Sequence, residues 1–162
     1  MAELTQLEEK LAEVLGLAQA AQKATSKVAG LGDDEHVRST LEQMGEEAAE
    51  TERRCTELAA DLDGKKTAIE EKARETRQEA EEMMNTYLGS DADQLDGLEF
   101  LIMAEAGELG HVEIVSTMNE KARDPQIREV ASWALEIQRK HWEQVRECAL
   151  ALAAQEDPNE AA

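Results

Sequence analysis

The sequence predicts an all-α protein: a single-domain, up-and-down antiparallel helical bundle of about five helices. Three observations carry that expectation. Aromatic residues are 2% of the 162 residues and there are two prolines. Ala, Glu, Leu, Lys, Gln and Arg dominate instead, a mixture that favours helix at nearly every position and offers little to a sheet. Apolar residues recur three and four apart over long stretches, the spacing that lays one stripe along a helix. Short breaks containing Gly, Asp or Pro separate these stretches, as connections between antiparallel neighbours require.

The first helix is expected over about residues 5–29. Thr5 and Glu8 in "TQLE" have the spacing of a capping box, and Leu4, Leu7, Leu11, Val14, Ala18, Ala21, Thr25 and Val28 form the stripe. Gly30 and Gly32 end it, and Asp33 or Asp34 caps the next helix. Helix two, 34–62, carries Val37, Leu41, Met44, Ala48, Thr51, Cys55, Leu58 and Leu62 in the same rhythm. At "LDGKK" the stripe changes phase: running on from Leu62 to Ile69 would put Lys66 in the core. Helix two therefore breaks near Asp63 and Gly64, rather than joining helix three as one rod. Helix three, 65–88, is polar, with a thin stripe of Ile69, Ala73, Thr76, Ala80, Met83 and Tyr87. Gly89 suits a left-handed helix end, and Ser90 with Asp93 opens helix four, 91–122. Asp124 caps helix five, 125–154, with Pro125 at its first position, and residues 155–162 form a frayed tail.

The formal charge of −20, from 37 acidic and 17 basic residues, works against whole classes of partner. It repels phosphate backbones and anionic headgroups, so nucleic acid and membrane are not expected as partners. It suits cations or a basic protein partner, and it also serves plain solubility or a salt-adapted host. "MAELTQLEEK" lacks the apolar segment of a secretory signal, and the longest apolar run, "CALALAA", is too short to span a bilayer. A cytoplasmic location is the expectation. Cys55 and Cys148 fit no metal or redox spacing and fall on apolar stripes, so they are expected as buried free thiols.

Function hangs on polar residues where hydrocarbon belongs. The helix-four stripe reads Leu98, Leu101, Glu105, Glu108, Val112, Val115; that of helix five reads Ile127, Ala131, Ala134, Gln138, His141, Val145, Cys148, Leu152. Folding the two helices back about Asp124 sets residues whose numbers total 249 at one height. Glu108 then faces His141 and His111 faces Gln138, roughly 24 Å from the turn at 1.5 Å per residue. Glu105 is the outermost of the set, because a small rotation of helix four would expose it. Unpartnered buried carboxylates cost several kcal/mol, so the group must be satisfied. One solution is mutual hydrogen bonding, His141 to Glu108 and Gln138 to His111. The other is a bound iron, manganese or zinc ion held among Glu105, Glu108, His111, Gln138 and His141. His36, at a helix start, is expected on the surface.

"LEFLIMAEAGELGHVEI" followed by "WALEIQRKHWEQV" resembles the second helix pair of the ferritin-like superfamily, in particular its rubrerythrin-type branch, over about residues 92–154. That resemblance implies a four-helix bundle holding two metal ions through Glu-x-x-His motifs. Glu108 and His111 match the motif in full. Gln138 and His141 match it in part, an amide standing for the bridging carboxylate. Helices one to three supply no second motif: their stripes carry Thr25, Thr51 and Thr76, and Glu47 and Glu79 lie beside the stripe. What the resemblance implies is then a single-metal site, a site completed across a homodimer, or one that has lost its metal. The competing class is a non-enzymatic bundle with a purely structural cluster. Its first two helices would pair between chains in a homodimer, its surface would meet a basic partner, and Trp133 and Trp142 would pack in the core or at the dimer contact.

Overall fold

The computed structural model describes residues 2–162, and among them it has five α-helices and no strand. These are α1 Gln6–Ala29, α2 Glu35–Asp61, α3 Lys66–Tyr87, α4 Gln94–Ala122 and α5 Pro125–Ala153. Each start has a local reason. The Thr5–Glu8 capping box opens α1, and Asp34 accepts from the Val37 N–H at the start of α2. Asp93 and Asp96 form a second box at α4, and Asp124 accepts from the Gln126 and Ile127 N–H groups with Pro125 following it. Only α3 starts without a side-chain cap.

The break between α2 and α3 falls at Gly64, which has φ +69°, a conformation glycine adopts without strain. Two junctions depart from expectation. Gly89 is not left-handed; α3 ends on Leu88 in extended backbone, φ −99° and ψ 97°. The left-handed residue that closes a helix is Arg123, φ 56°, after α4. Asn119 holds that turn: its side-chain amide donates to the Asp124 carbonyl at 2.9 Å, and the Asp124 N–H donates back to Asn119 Oδ1 at 3.1 Å.

Helices α1, α2, α5 and α4 surround a common core, each packing on the next, with α1 and α4 closing the ring. Successive helices run antiparallel, as expected, but α3 stands apart from the other four. α3 lies outside the square and runs parallel to α1. At its start Lys65 sits 3.3 Å from Glu8, and near its end Met84 packs with Ala24 and Val28. It is the return limb that carries the chain from the end of α2 back to the start of α4, so α2 and α4 point the same way. Its thin stripe explains the position: within α3 only Ala68, Ile69, Ala73 and Met84 are buried. Close approach holds it there: a Cβ on Gly16 would come within 2.8 Å of Thr76 Cβ and closer still to the Ala73 carbonyl. A similar approach joins α4 to α1, where a Cβ on Gly97 would lie 2.7 Å from Val28 Cγ1.

The core has two apolar halves. Near the α1 start Leu11, Leu15, Leu58, Ile69, Val115 and Ile127 pack together; near its end Val28, Leu41, Met44, Leu98, Leu101 and Val145 do. The α1 and α2 stripes are thus spent inside this one chain, which removes the basis for pairing them between chains. Cys55 and Cys148 are buried free thiols, as expected, and burial pushes the Cys55 thiol up to about 12. Trp133 and Trp142 are half-buried on the flanks of α5, each with an arginine over its ring, Arg54 at 4.0 Å and Arg146 at 5.4 Å.

Gly16→Ala is expected to destabilise the fold by about 1–3 kcal/mol, because the methyl meets α3 backbone that cannot yield. This overrides the helix-propensity gain of about 1 kcal/mol that alanine would bring. Urea denaturation followed by far-UV circular dichroism measures it.

Candidate polar core site

Between the two apolar halves lies a polar layer built by four helices. On α4, the stripe through Leu101, Glu105, Glu108 and Val112 turns both acids inward; on α5, Ala134, Gln138, His141 and Val145 do the same for the amide and the imidazole. Glu105 and His141 are each 1% exposed, Gln138 4% and Glu108 8%. From α2 come Thr51 and Glu47; α1 contributes Leu17, Ala18 and Ala21.

The Gln138 amide nitrogen is the hub. It donates to Glu105 Oε2 at 3.1 Å and to Glu108 Oε2 at 2.9 Å. His141 stands on the other side of Glu105, its Nδ1 3.6 Å from Glu105 Oε2 and its Nε2 3.6 Å from Glu47 Oε1. Nε2 has no hydrogen-bond partner. Glu47 is gripped by Lys140, whose ammonium donates to both carboxylate oxygens at 2.8 Å. Thr51 donates to the Glu47 carbonyl at 3.2 Å and accepts from the Trp133 indole at 3.3 Å, which ties α2 to α5.

This geometry corrects the expected pairing. Glu108 with Gln138, and Glu105 with His141, have numbers that total 246, three fewer than anticipated. The Glu108–His141 and His111–Gln138 pairs are therefore not formed, and Glu105, expected at the margin, lies at the centre. His111 leaves the cluster. The stripe passes from Glu108 to Val112, and the residue before Val112 lies roughly 100° around the helix, toward α1. There His111 is 37% exposed, donates from Nδ1 to the Gly107 carbonyl at 2.8 Å, and sits with Nε2 3.5 Å from Glu13. Sequence reasoning passed over Glu47 as lying beside the stripe. Its longer reach and the neighbouring Lys140 bring its carboxylate to His141. The one signal in the sequence was a lysine placed directly before the buried histidine.

Burial, and next the charge of Glu105, raise the Glu108 carboxyl well above its ordinary range, while the Gln138 amide pulls the other way. Two buried acids sharing one amide cannot both ionise cheaply, so Glu108 holds its proton to higher pH than an ordinary carboxyl does. Space is equally short. The void bordered by Val14, Leu17, Thr51, Val112, Glu108 and Gln138 is about 10 Å³, at the lower limit for one water. On the opposite side an apolar cleft of about 270 Å³ opens between α1, α3 and α4, with Glu105 and Glu108 in its wall and Met83 and Met103 along it.

These residues do not fit a two-metal centre. α1 brings only apolar side chains, a single imidazole is present, and an amide occupies the place between the acids. Among the described residues, no group of three or more His, Cys, Asp and Glu side chains is arranged to hold an ion.

The raised Glu108 value has a definite sign in stability. The folded form keeps a proton that the unfolded chain releases above the ordinary carboxylate range, so this contribution is complete at low pH and is lost as pH rises through the folded value. Glu108→Gln, which mimics the neutral acid, is expected to flatten that loss. Urea unfolding of both proteins from pH 4.5 to 8 would show the wild type losing ground to the variant as pH rises; parallel curves would contradict a raised Glu108 carboxyl.

Searches against protein-family models, characterised proteins and solved structures return no match for this chain.

Proposed function

We propose that this chain is a non-enzymatic helical-bundle protein of ferritin-like topology, in which the polar layer is a structural lock and the surfaces do the work. The observation that carries this reading is the Gln138 amide, which donates at once to Glu105 and Glu108, where two carboxylates of a ferritin-like bundle would share an ion. With the amide donating to both acids and the Glu108 carboxyl raised toward its neutral form, most of the layer's hydrogen-bonding and charge needs are met from within the chain. The ferritin-like topology is supported by the single long crossover, filled by α3, and by the inward acids of the last helix pair.

One observation favours a second reading. His141 Nε2 is buried without a partner and faces Glu47, and an orphaned buried nitrogen asks for a water, a proton or an ion. In that reading His141 Nε2 and the Glu47 carboxylate would hold one divalent transition metal between them, which when bound would supply Lewis-acid or redox chemistry in a buried setting.

Elemental analysis of protein purified without chelators, with calorimetric titration of anaerobic iron(II), manganese(II) and zinc(II), separates the two. The structural reading expects no stoichiometric metal and the same titration for wild type and His141→Ala. One bound equivalent, lost in both His141→Ala and Glu47→Gln, would replace it with the second reading.

A further inference from the structure

The core stripe of α4 accounts for one side of that helix; the opposite side has a pattern of its own. Met103, Gly107, Gly110 and Ile114 follow one another at spacings of four, three and four, which places them on one stripe facing away from Glu105, Glu108 and Val112. Met103 is 51% exposed and Ile114 43%, two of the few large apolar side chains left in water. Met83, 67% exposed, borders the same side, across the apolar cleft. Nothing inside the chain calls for glycine at 107 or 110: a Cβ at either would meet no atom within 4 Å. Two glycines weaken a helix for no internal return, while absent side chains let a second helix lie close.

We infer that this face of α4 is a two-fold antiparallel docking site for α4 of a second copy of the same chain. The spacing reads identically in both directions, so it is complementary to itself. Pairing positions whose numbers total 217 sets Gly107 against the second copy's Gly110 and Met103 against the second copy's Ile114. The close approach and the flanking apolar contacts therefore come together in one register. Charge agrees with that register. Asp96 and Lys121, both exposed and on the same stripe further out, also total 217, so each acid meets the other copy's ammonium. An unrelated partner gives no reason for this symmetry. Against association stand Glu99 and Glu113, which flank the stripe on one side, and the −20 charge of each copy. Their repulsion is long-ranged and salt screens it, so the dimer strengthens as ionic strength rises.

The inference gives the surface-based reading its partner, but its test reads association rather than metal content, so either can fail without the other. Sedimentation velocity over a range of protein concentrations, in low and high salt, is expected to show a reversible monomer–dimer equilibrium favoured by salt. Gly110→Gln, whose side chain points into open space in the monomer, is expected to keep its helicity and weaken the dimer at least about tenfold. The register is tested with Met103→Cys and Ile114→Cys: an equimolar mixture forms an intermolecular disulfide under mild oxidation, and neither variant alone does so efficiently. Cys55 and Cys148 are buried and leave the readout clean. A monomer under all conditions, a dimer indifferent to Gly110→Gln, or single variants that cross-link as readily as the mixture would each overturn the inference.

Discussion

One amide nitrogen shared by two buried acids sets the register of this bundle. Above and below it the core is built mostly of Leu, Val, Ile and Ala, contacts that are nearly interchangeable along a stripe and would tolerate a slip of one heptad. The polar layer does not tolerate one. Sliding α5 along α4 by seven residues would take Gln138 away from Glu105 and Glu108 and leave both acids facing hydrocarbon, a loss far larger than any single apolar contact. Buried polar residues in helical bundles are best attested in this role, fixing alignment at some cost in stability. Here the cost is moderated by the raised Glu108 carboxyl, which gives up its proton less readily, and by the Lys140 clamp that holds Glu47 beside His141.

The helices were legible because their signals are local. Thr5, Asp34, Asp93 and Asp124 announce helix starts through their own side chains, and the phase change at Lys66 marks the break at Gly64. Arg123 was not legible, since its left-handed backbone is imposed by Asn119 five residues before the next cap and not by its own chemistry. The place of α3 was half legible. Its thin stripe is visible in the sequence, but its parallel course along α1 depends on the fit of Gly16 against Ala73 and Thr76, a relation between distant residues.

The same distinction runs through the polar layer. That Glu105, Glu108, Gln138 and His141 are buried together follows from periodicity, and burial bears it out. Which of them touch depends on how tightly the α4–α5 turn closes, and a shift of three residues in register exchanged every pair. His111 drew attention because it completes a short motif with Glu108, yet the stripe had already passed it by. Glu47 was discounted because periodicity describes where a Cβ points and says nothing of where a long acid with a lysine neighbour can reach.

The outer position of α3 bears on how the molecule breathes. Its buried side chains are few, and most of its length faces solvent, so it can lift away at the cost of the Ile69 and Met84 contacts while the contacts among the other four helices persist. The start of α3 lacks a side-chain cap, and there the Lys65 ammonium, on Glu8 and the Glu3 carbonyl, is what ties it to α1. Since α3 also forms one wall of the apolar cleft, its departure would expose to water the wall that contains Glu105 and Glu108. Access of solvent to that wall is then governed by a strap at the periphery, and the two inward acids meet water most fully when it opens.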